Sequence, residues 1–221
     1  KLNRFMTGYN LAHIHNDDGF DLSKLICGSE GTLALVSELT LKLTPIPLAK
    51  ELLVLRYQSF DAALRDANLL VQQNPDAIET IDDTILNLAK GDVIWPLVAN
   101  YLDQPNGQPL AAINLVEFGA LDRLELAAKL DAICGELTAK HASYERISAP
   151  QDMANLWELR KKGVGLLGNL PGLKRPIAFV EDTAVPPEHL ADYIVEFRHL
   201  LDQMGVIYGM YGHVDAGCLH V

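Results

Sequence analysis

Apolar and polar residues change rhythm near residue 47 of this chain. Residues 1–47 are loop-rich until two β-biased stretches, 32–36 and 39–44. The second alternates apolar and polar positions, as a strand with one buried face does. Pro45 and Pro47 stop that pattern, because proline has no amide hydrogen with which to extend a ladder, and they mark the expected domain boundary. Beyond it, strand-like and helix-like periods take turns. Residues 51–57 form an apolar run, and Ser59 is placed to cap a helix burying Phe60, Ala63, Leu64, Ala67 and Val71, with Asn74 and Pro75 ending it. Residues 111–118 read as the next strand. A helix over 121–140 follows, with Leu124, Ala127, Ala128, Ile133 and Leu137 on its buried side, and then a strand over 143–147. Pro150 suits the first turn of a third helix bearing Met153, Leu156, Trp157 and Arg160. A strand over 177–185, a proline-started helix over 187–204 and a strand over 206–211 complete the pattern.

Short turns between these units predict an α+β fold, a ferredoxin-like and mainly antiparallel sheet with helices on one face. No repeat or low-complexity tract interrupts it. Apolar residues make up 49% of the 221 and charged residues 21%, enough apolar surface for a packed core. The net charge of −11 opposes binding to phosphate backbones or anionic lipid, so no nucleic-acid partner is expected. Apolar runs such as 111–116 fall far short of the roughly 18 residues that cross a bilayer. Cys27, Cys134 and Cys218 are odd in number and far apart, which suits reduced thiols in a cytoplasmic protein. The chain opens at Lys1 and closes on an apolar pattern at Val221, and is expected to be a piece of a longer polypeptide.

Three segments concentrate chemistry. Within residues 212–220, His213 and His220 stand seven apart, an odd spacing that on a straight strand points them to opposite faces. A turn at Asp215, Ala216 and Gly217 would fold the segment back so that both imidazoles face one metal ion; spacing alone leaves open two unrelated histidines beside a turn. Gly28, Ser29, Glu30, Gly31 and Thr32 allow close backbone approach to a ligand but match neither a P-loop nor a dinucleotide fingerprint, and read equally as a plain glycine turn. Arg160, one turn beyond Trp157 on a half-apolar helix face, is a candidate clamp for a carboxylate, whereas Lys161 and Lys162 read as a solvated face. Lys174 and Arg175 are further basic residues near the same loop. Glu181 and Asp182 are either an edge-facing pair or a site acid, and His13 and His15 read as turn residues.

These pieces together resemble the flavin-dependent D-2-hydroxy acid dehydrogenases, the D-lactate and D-2-hydroxyglutarate branch of the vanillyl-alcohol-oxidase-like FAD-linked oxidases. Thr7, Gly8, Tyr9, Asn10 and Leu11, followed by the Gly28–Thr32 segment, look like the end of that family's FAD domain. Residues 156–160 resemble its helix bearing a substrate arginine, 179–186 its EDxAVP strand, and 212–220 its metal-binding GHxGDGNLH. The wording of the last two segments is nearest that of large bacterial members with an appended iron–sulfur region.

The resemblance implies residues 1–47 as the end of an FAD-binding domain and 48–221 as a substrate and metal domain truncated at its C-terminus. It implies FAD lined by Thr7, Gly8, Tyr9 and Gly28–Thr32, Arg160 on the substrate carboxylate, and His213 and His220 on a divalent zinc or manganese ion. A third ligand and a base would lie past Val221, as would any iron–sulfur cluster. The implied reaction is oxidation of a small 2-hydroxy acid to the 2-oxo acid by a homo-oligomer using an unspecified electron acceptor, and the isolated segment is expected to be inactive. A non-catalytic α+β module and a relative of the alkyl-ether-lipid synthases are the alternatives. Asp215, Ala216 and Cys218 stand where the motif has Gly, Asp and Asn, so the turn is expected to follow another backbone path and to lack a supporting carboxylate. Val180 replaces a lysine that some members use for substrate.

Overall fold

The strand pattern after residue 47 resolves into one five-stranded antiparallel sheet in the computed structural model, which describes residues 8–17, 19–103, 107–140, 142–168, 180 and 183–221. The chain divides into two compact units, one within Asn3–Pro45 and one of Ile46–Val221. The first holds β1 (His15–Asn16) and β2 (Gly19–Phe20), which pair antiparallel, and α1 (Leu22–Ile26), capped by the Asp21 carboxylate on the Ser23 amide. Residues 32–36 and 39–44 form no strand. Leu35 is 98% and Leu43 84% exposed, and without a neighbouring ladder or a surface to cover it a β-biased run has nothing to hold it as a strand.

In the larger unit the elements run β3 (Ala49–Tyr57), α2 (Phe60–Val71), β4 (Ala77–Asp82), α3 (Asp83–Ala89), α4 (Trp95–Leu102), β5 (Ala112–Ala120), α5 (Arg123–Ala139), β6 (Ser143–Ile147), α6 (Pro150–Lys161), α7 (Gly163–Gly168), β7 (Thr183–Ala184), α8 (Leu190–Gln203), β8 (Tyr211–His213) and β9 (Cys218–Leu219). The main sheet has the order β6-β3-β5-β4-β8, and β7 pairs with β9 apart from it. This is the expected α+β, ferredoxin-like arrangement.

The helices, however, cover both faces of the sheet and not one. Leu53 and Leu55 of β3 and Val116 and Phe118 of β5 pack with α2, α5 and α8. Leu52 and Val54, with Ile113 and Leu115, pack with α3, α4, α6 and α7. Consecutive apolar residues in both central strands leave no polar face for water, so each side needs a helical layer.

Ser59 caps α2 through the Ala62 amide, and α2 buries Leu70 where Val71 is only half-buried. On α5 the buried stripe is Leu126, Leu130, Ile133 and Leu137, and Leu124 is 81% exposed in the first turn beyond the Asp122 cap. The helix over 187–204 begins as a 3₁₀ turn, Pro187–His189, before α8. Residues 206–210 join no strand. Met210 accepts from the Asp82 amide at 3.0 Å, but its own amide goes to the Asp82 carboxylate at 2.8 Å instead of to a ladder carbonyl. Of the strand expected over 177–185, only Val180 and 183–185 lie among the described residues.

Candidate functional site

The antiparallel register of β4 and β8 sets Glu79 opposite His213 and Ile81 opposite Tyr211. Side chains alternate along a strand, so all four share the face covered by α3, α6 and α7. Ile81 and Tyr211 enter the core, and Glu79 and His213 form the next pair outward. Helix α6, begun by Pro150, sinks Leu156 and Leu159 into the same core and so brings Arg160 of its last turn over this pair. A cation there is also favoured by the helix's unpaired carbonyls.

Glu79 accepts from two neighbouring side chains at once. Arg160 Nε donates to its Oε2 at 2.7 Å, and His213 Nδ1 meets Oε1 in a very short contact. Among the described residues the hydrogen bond of Arg160 is made through Nε, and the terminal nitrogens of the fork bond none of them. The guanidinium lies over the Tyr211 ring, 4.5 Å from its centroid. Burial pushes the Glu79 carboxyl up, but the hydrogen bond from His213 and the charge and hydrogen bond of Arg160 outweigh it and leave the group below its ordinary range. Glu79 is therefore a carboxylate at neutral pH.

The chain reverses immediately after His213. Val214–Ala216 make one 3₁₀ turn, which Gly217 closes in the left-handed region (φ 70°) with its amide on the Val214 carbonyl at 3.1 Å. β9 then runs back against β7, and His220 pairs with Tyr211 through amide-to-carbonyl distances of 2.8 and 3.2 Å. This reversal brings the two imidazoles together, with ring centroids 5.5 Å apart at 78°, and sets His220 5.2 Å from the Tyr211 ring. Asp215 lies inside the 3₁₀ turn without a positive φ, so the position tolerates a residue with a side chain, and its carboxylate accepts from the Ala216 amide at 2.9 Å. The carboxylate missing at Ala216 has a substitute, because Glu79 holds His213 from the neighbouring strand. With Nδ1 turned to Glu79, Nε2 would be the nitrogen of His213 offered to a metal ion. Two imidazoles fit a divalent ion, but among the described residues no group of three or more His, Cys, Asp or Glu converges as a full set, so any further ligand comes from beyond them.

In the smaller unit the two segments read as flavin-lining meet. The Tyr9 hydroxyl lies 2.8 Å from Thr32 Oγ1, and Thr32 Oγ1 donates to the Ser29 carbonyl at 2.6 Å. Gly28, Glu30 and Gly31 have positive φ, Ser29 is buried, and a Cβ on Gly8 or Gly31 would meet nothing within 4 Å. Open backbone of this kind suits a flat group laid against it. His13 bonds Asn10 at 2.7 Å, as a turn residue does, and Lys162 pairs with Asp92 at 3.3 Å. Thr7, Lys174, Arg175, Glu181 and Asp182 lie outside the described residues.

Sequence reasoning missed Glu79 and Tyr211 as site residues. The strand carrying Glu79 is not among the elements the periodicity predicts. The available signal was a carboxylate set among Ile78, Thr80 and Ile81 in a β-branched run.

The family described as FAD linked oxidases, C-terminal domain, matches residues 46–221. The chain is 47% identical to the D-2-hydroxyglutarate dehydrogenase of Pantoea ananatis over 230 aligned positions, covering 100% of this chain and 22% of that protein. It is 48% identical to the protein of the same name from Pseudomonas putida, again over 100% of this chain and 22% of that one. It is 29% identical to the glycolate oxidase subunit GlcD of Bacillus subtilis, over 91% of this chain and 41% of that protein. The chain thus spans less than a quarter of the first two relatives' length.

Proposed function

The chain belongs to the FAD-linked oxidases, whose C-terminal domain it carries, and from that premise we propose that it serves in an FAD-dependent dehydrogenase oxidising a D-2-hydroxy acid, of the 2-hydroxyglutarate or lactate class, to the 2-oxo acid. The observation that carries this reading is the gathering of Arg160, His213 and His220 about Glu79 and Tyr211 on one sheet face. A 2-hydroxy acid presents a carboxylate and a hydroxyl on adjacent carbons. The terminal nitrogens of Arg160 take the carboxylate, and the two imidazoles hold a zinc or manganese ion near the hydroxyl. A divalent ion held there would polarise that hydroxyl, and FAD bound in the parent would supply the hydride acceptor. Tyr211, stacked under the guanidinium, holds the planar fork in place.

Residues 1–47 close the FAD-binding domain of the parent protein, with Thr7, Gly8, Tyr9 and Gly28–Thr32 against the cofactor, and residues 48–221 supply substrate and metal contacts. The longer relatives and the wording of residues 179–186 and 212–220 support a parent in which an iron–sulfur region carries the electrons onward. Three cysteines without a disulfide suit a cytoplasmic setting, and among the described residues no helix is long and apolar enough to cross a membrane.

Anaerobic mixing of the full-length parent with D-2-hydroxyglutarate, then D-lactate, tests the reading. Flavin bleaching by the D and not the L isomer is expected. A flavin that stays oxidised with every D-2-hydroxy acid tried would overturn it.

A further inference from the structure

We infer that Glu79 is a positioning residue that ties the substrate-carboxylate clamp to the metal-binding histidine, holding both in fixed relation with its two carboxylate oxygens. The inference rests on the proposed reading of Arg160 and His213. Oε2 accepts from Arg160 Nε and Oε1 from His213 Nδ1, and Glu79 is 6% exposed, so little water competes for either bond.

Each bond has a separate consequence. Accepting at Nδ1 fixes the proton on that nitrogen and presents Nε2 as the ligating lone pair, which raises the basicity of the ligand. Accepting at Nε fixes the plane of the guanidinium and turns its terminal nitrogens outward as a pair. Because Glu79 is the direct cross-strand partner of His213, the sheet itself sets the first distance. A second link runs from Arg160 through the Tyr211 ring to His220, so the clamp is joined to both histidines. A substrate whose carboxylate and hydroxyl sit on adjacent carbons needs two anchors at one fixed separation, and that is what this bridge supplies.

Glu79→Gln in the full-length holoenzyme is the test. It is isosteric, and its amide nitrogen opposes one of the two donors while its oxygen satisfies the other. Flavin content should be unchanged. The dissociation constant for Mn²⁺, read by equilibrium dialysis with metal analysis, should rise roughly tenfold to a hundredfold, and KM for D-2-hydroxyglutarate should rise by more than kcat falls. If the glutamine variant yields no folded protein, Glu79→Asp replaces it, with the same shifts expected because the shortened carboxylate cannot reach both partners. A folded variant whose Mn²⁺ affinity and KM stay within about twofold of wild type overturns the inference and leaves the proposed reaction standing. Wild-type protein that oxidises no D-2-hydroxy acid overturns the reaction and the inference with it, so the two failures are told apart by the wild-type assay.

Discussion

Gly217 packs its α-carbon against the backbone of Val185 so closely that a Cβ there would sit 1.9 Å from the Val185 carbonyl oxygen. The Val185 amide returns the contact, donating to the Gly217 carbonyl at 3.0 Å. The reversal between His213 and His220 depends on this approach and on the left-handed φ of Gly217.

Gly217→Ala is therefore expected to destabilise the larger unit by at least about 2 kcal/mol, since the left-handed conformation alone costs an L-residue roughly 1–2 kcal/mol and the clash adds to it. Thermal melting measures the loss. Metal retention should fall in the same variant, because the two imidazoles part when the turn opens. A variant melting within a degree or so of wild type would contradict the role given to this turn.

Arg160→Lys keeps the charge and loses the Nε bond to Glu79, the planar contact with Tyr211 and the fork by which the proposed substrate carboxylate would be gripped at two points. In the parent enzyme KM for the hydroxy acid should rise about tenfold to a hundredfold, the range of one or two charge-assisted hydrogen bonds. Steady-state kinetics with D-2-hydroxyglutarate checks this, and an unaltered KM would remove Arg160 from the substrate.

Asp82 titrates against the usual trend for a carboxylate with partners. It caps α3 through the Ile85 amide at 3.1 Å and accepts from Met210 and Arg198, yet burial pushes its carboxyl up to about 6. Because the folded state holds this proton more tightly than the unfolded chain, the group's stabilisation is complete below its ordinary value of 3.8 and is lost as pH rises through about 6. The loss amounts to about 3 kcal/mol at neutral pH. Melting curves across that window should show Asp82→Asn with a flatter dependence than wild type. Parallel curves would be evidence against it.

Asn114 holds a polar knot in the middle of the sheet. It accepts from Thr80 Oγ1 at 2.6 Å and donates to the Ala63 carbonyl at 2.9 Å and to the Tyr57 hydroxyl at 3.2 Å, and that hydroxyl donates to Asp66 at 2.6 Å. Asn114→Ala should cost about 3 kcal/mol, from a stranded Thr80 hydroxyl and a small cavity. Replacing both partners, as Thr80→Val with Asn114→Leu, should recover part of that loss. Chemical denaturation of the two single variants and the pair measures the coupling; additive losses would show that the knot does not act as a unit.

Elements with one strong period were legible in the sequence. The Ser59 cap, the Pro150 start and the strand at 143–147 all appear where the pattern puts them. Residues 39–44 carry a clean alternation and still form no strand, because that alternation needs a surface to cover it, and Leu41 and Leu43 are 70% and 84% exposed here. Strand β4 escaped for the opposite reason: Glu79 and Asp82 break its apolar run, and both are there for contacts far away in sequence. The two-sided sheet was present in the consecutive apolar residues of β3 (Leu52 to Leu55) and β5 (Leu115 and Val116), whereas the one-faced arrangement would have needed polar residues at alternate positions. The histidine pair was readable only as far as its turn, since an odd spacing says nothing about where a reversed chain returns.

The pairing of Glu79 with His213 makes the sheet's register a vernier for the chemistry. β8 is a terminal strand held to β4 by three register pairs, and sliding it by one residue would turn His213 to the opposite face and carry Tyr211 out from under Arg160. Fraying at that edge costs far less than melting the two apolar layers behind it. On warming, the proposed metal site should therefore lose added Mn²⁺ at temperatures where the helical circular-dichroism signal is still intact.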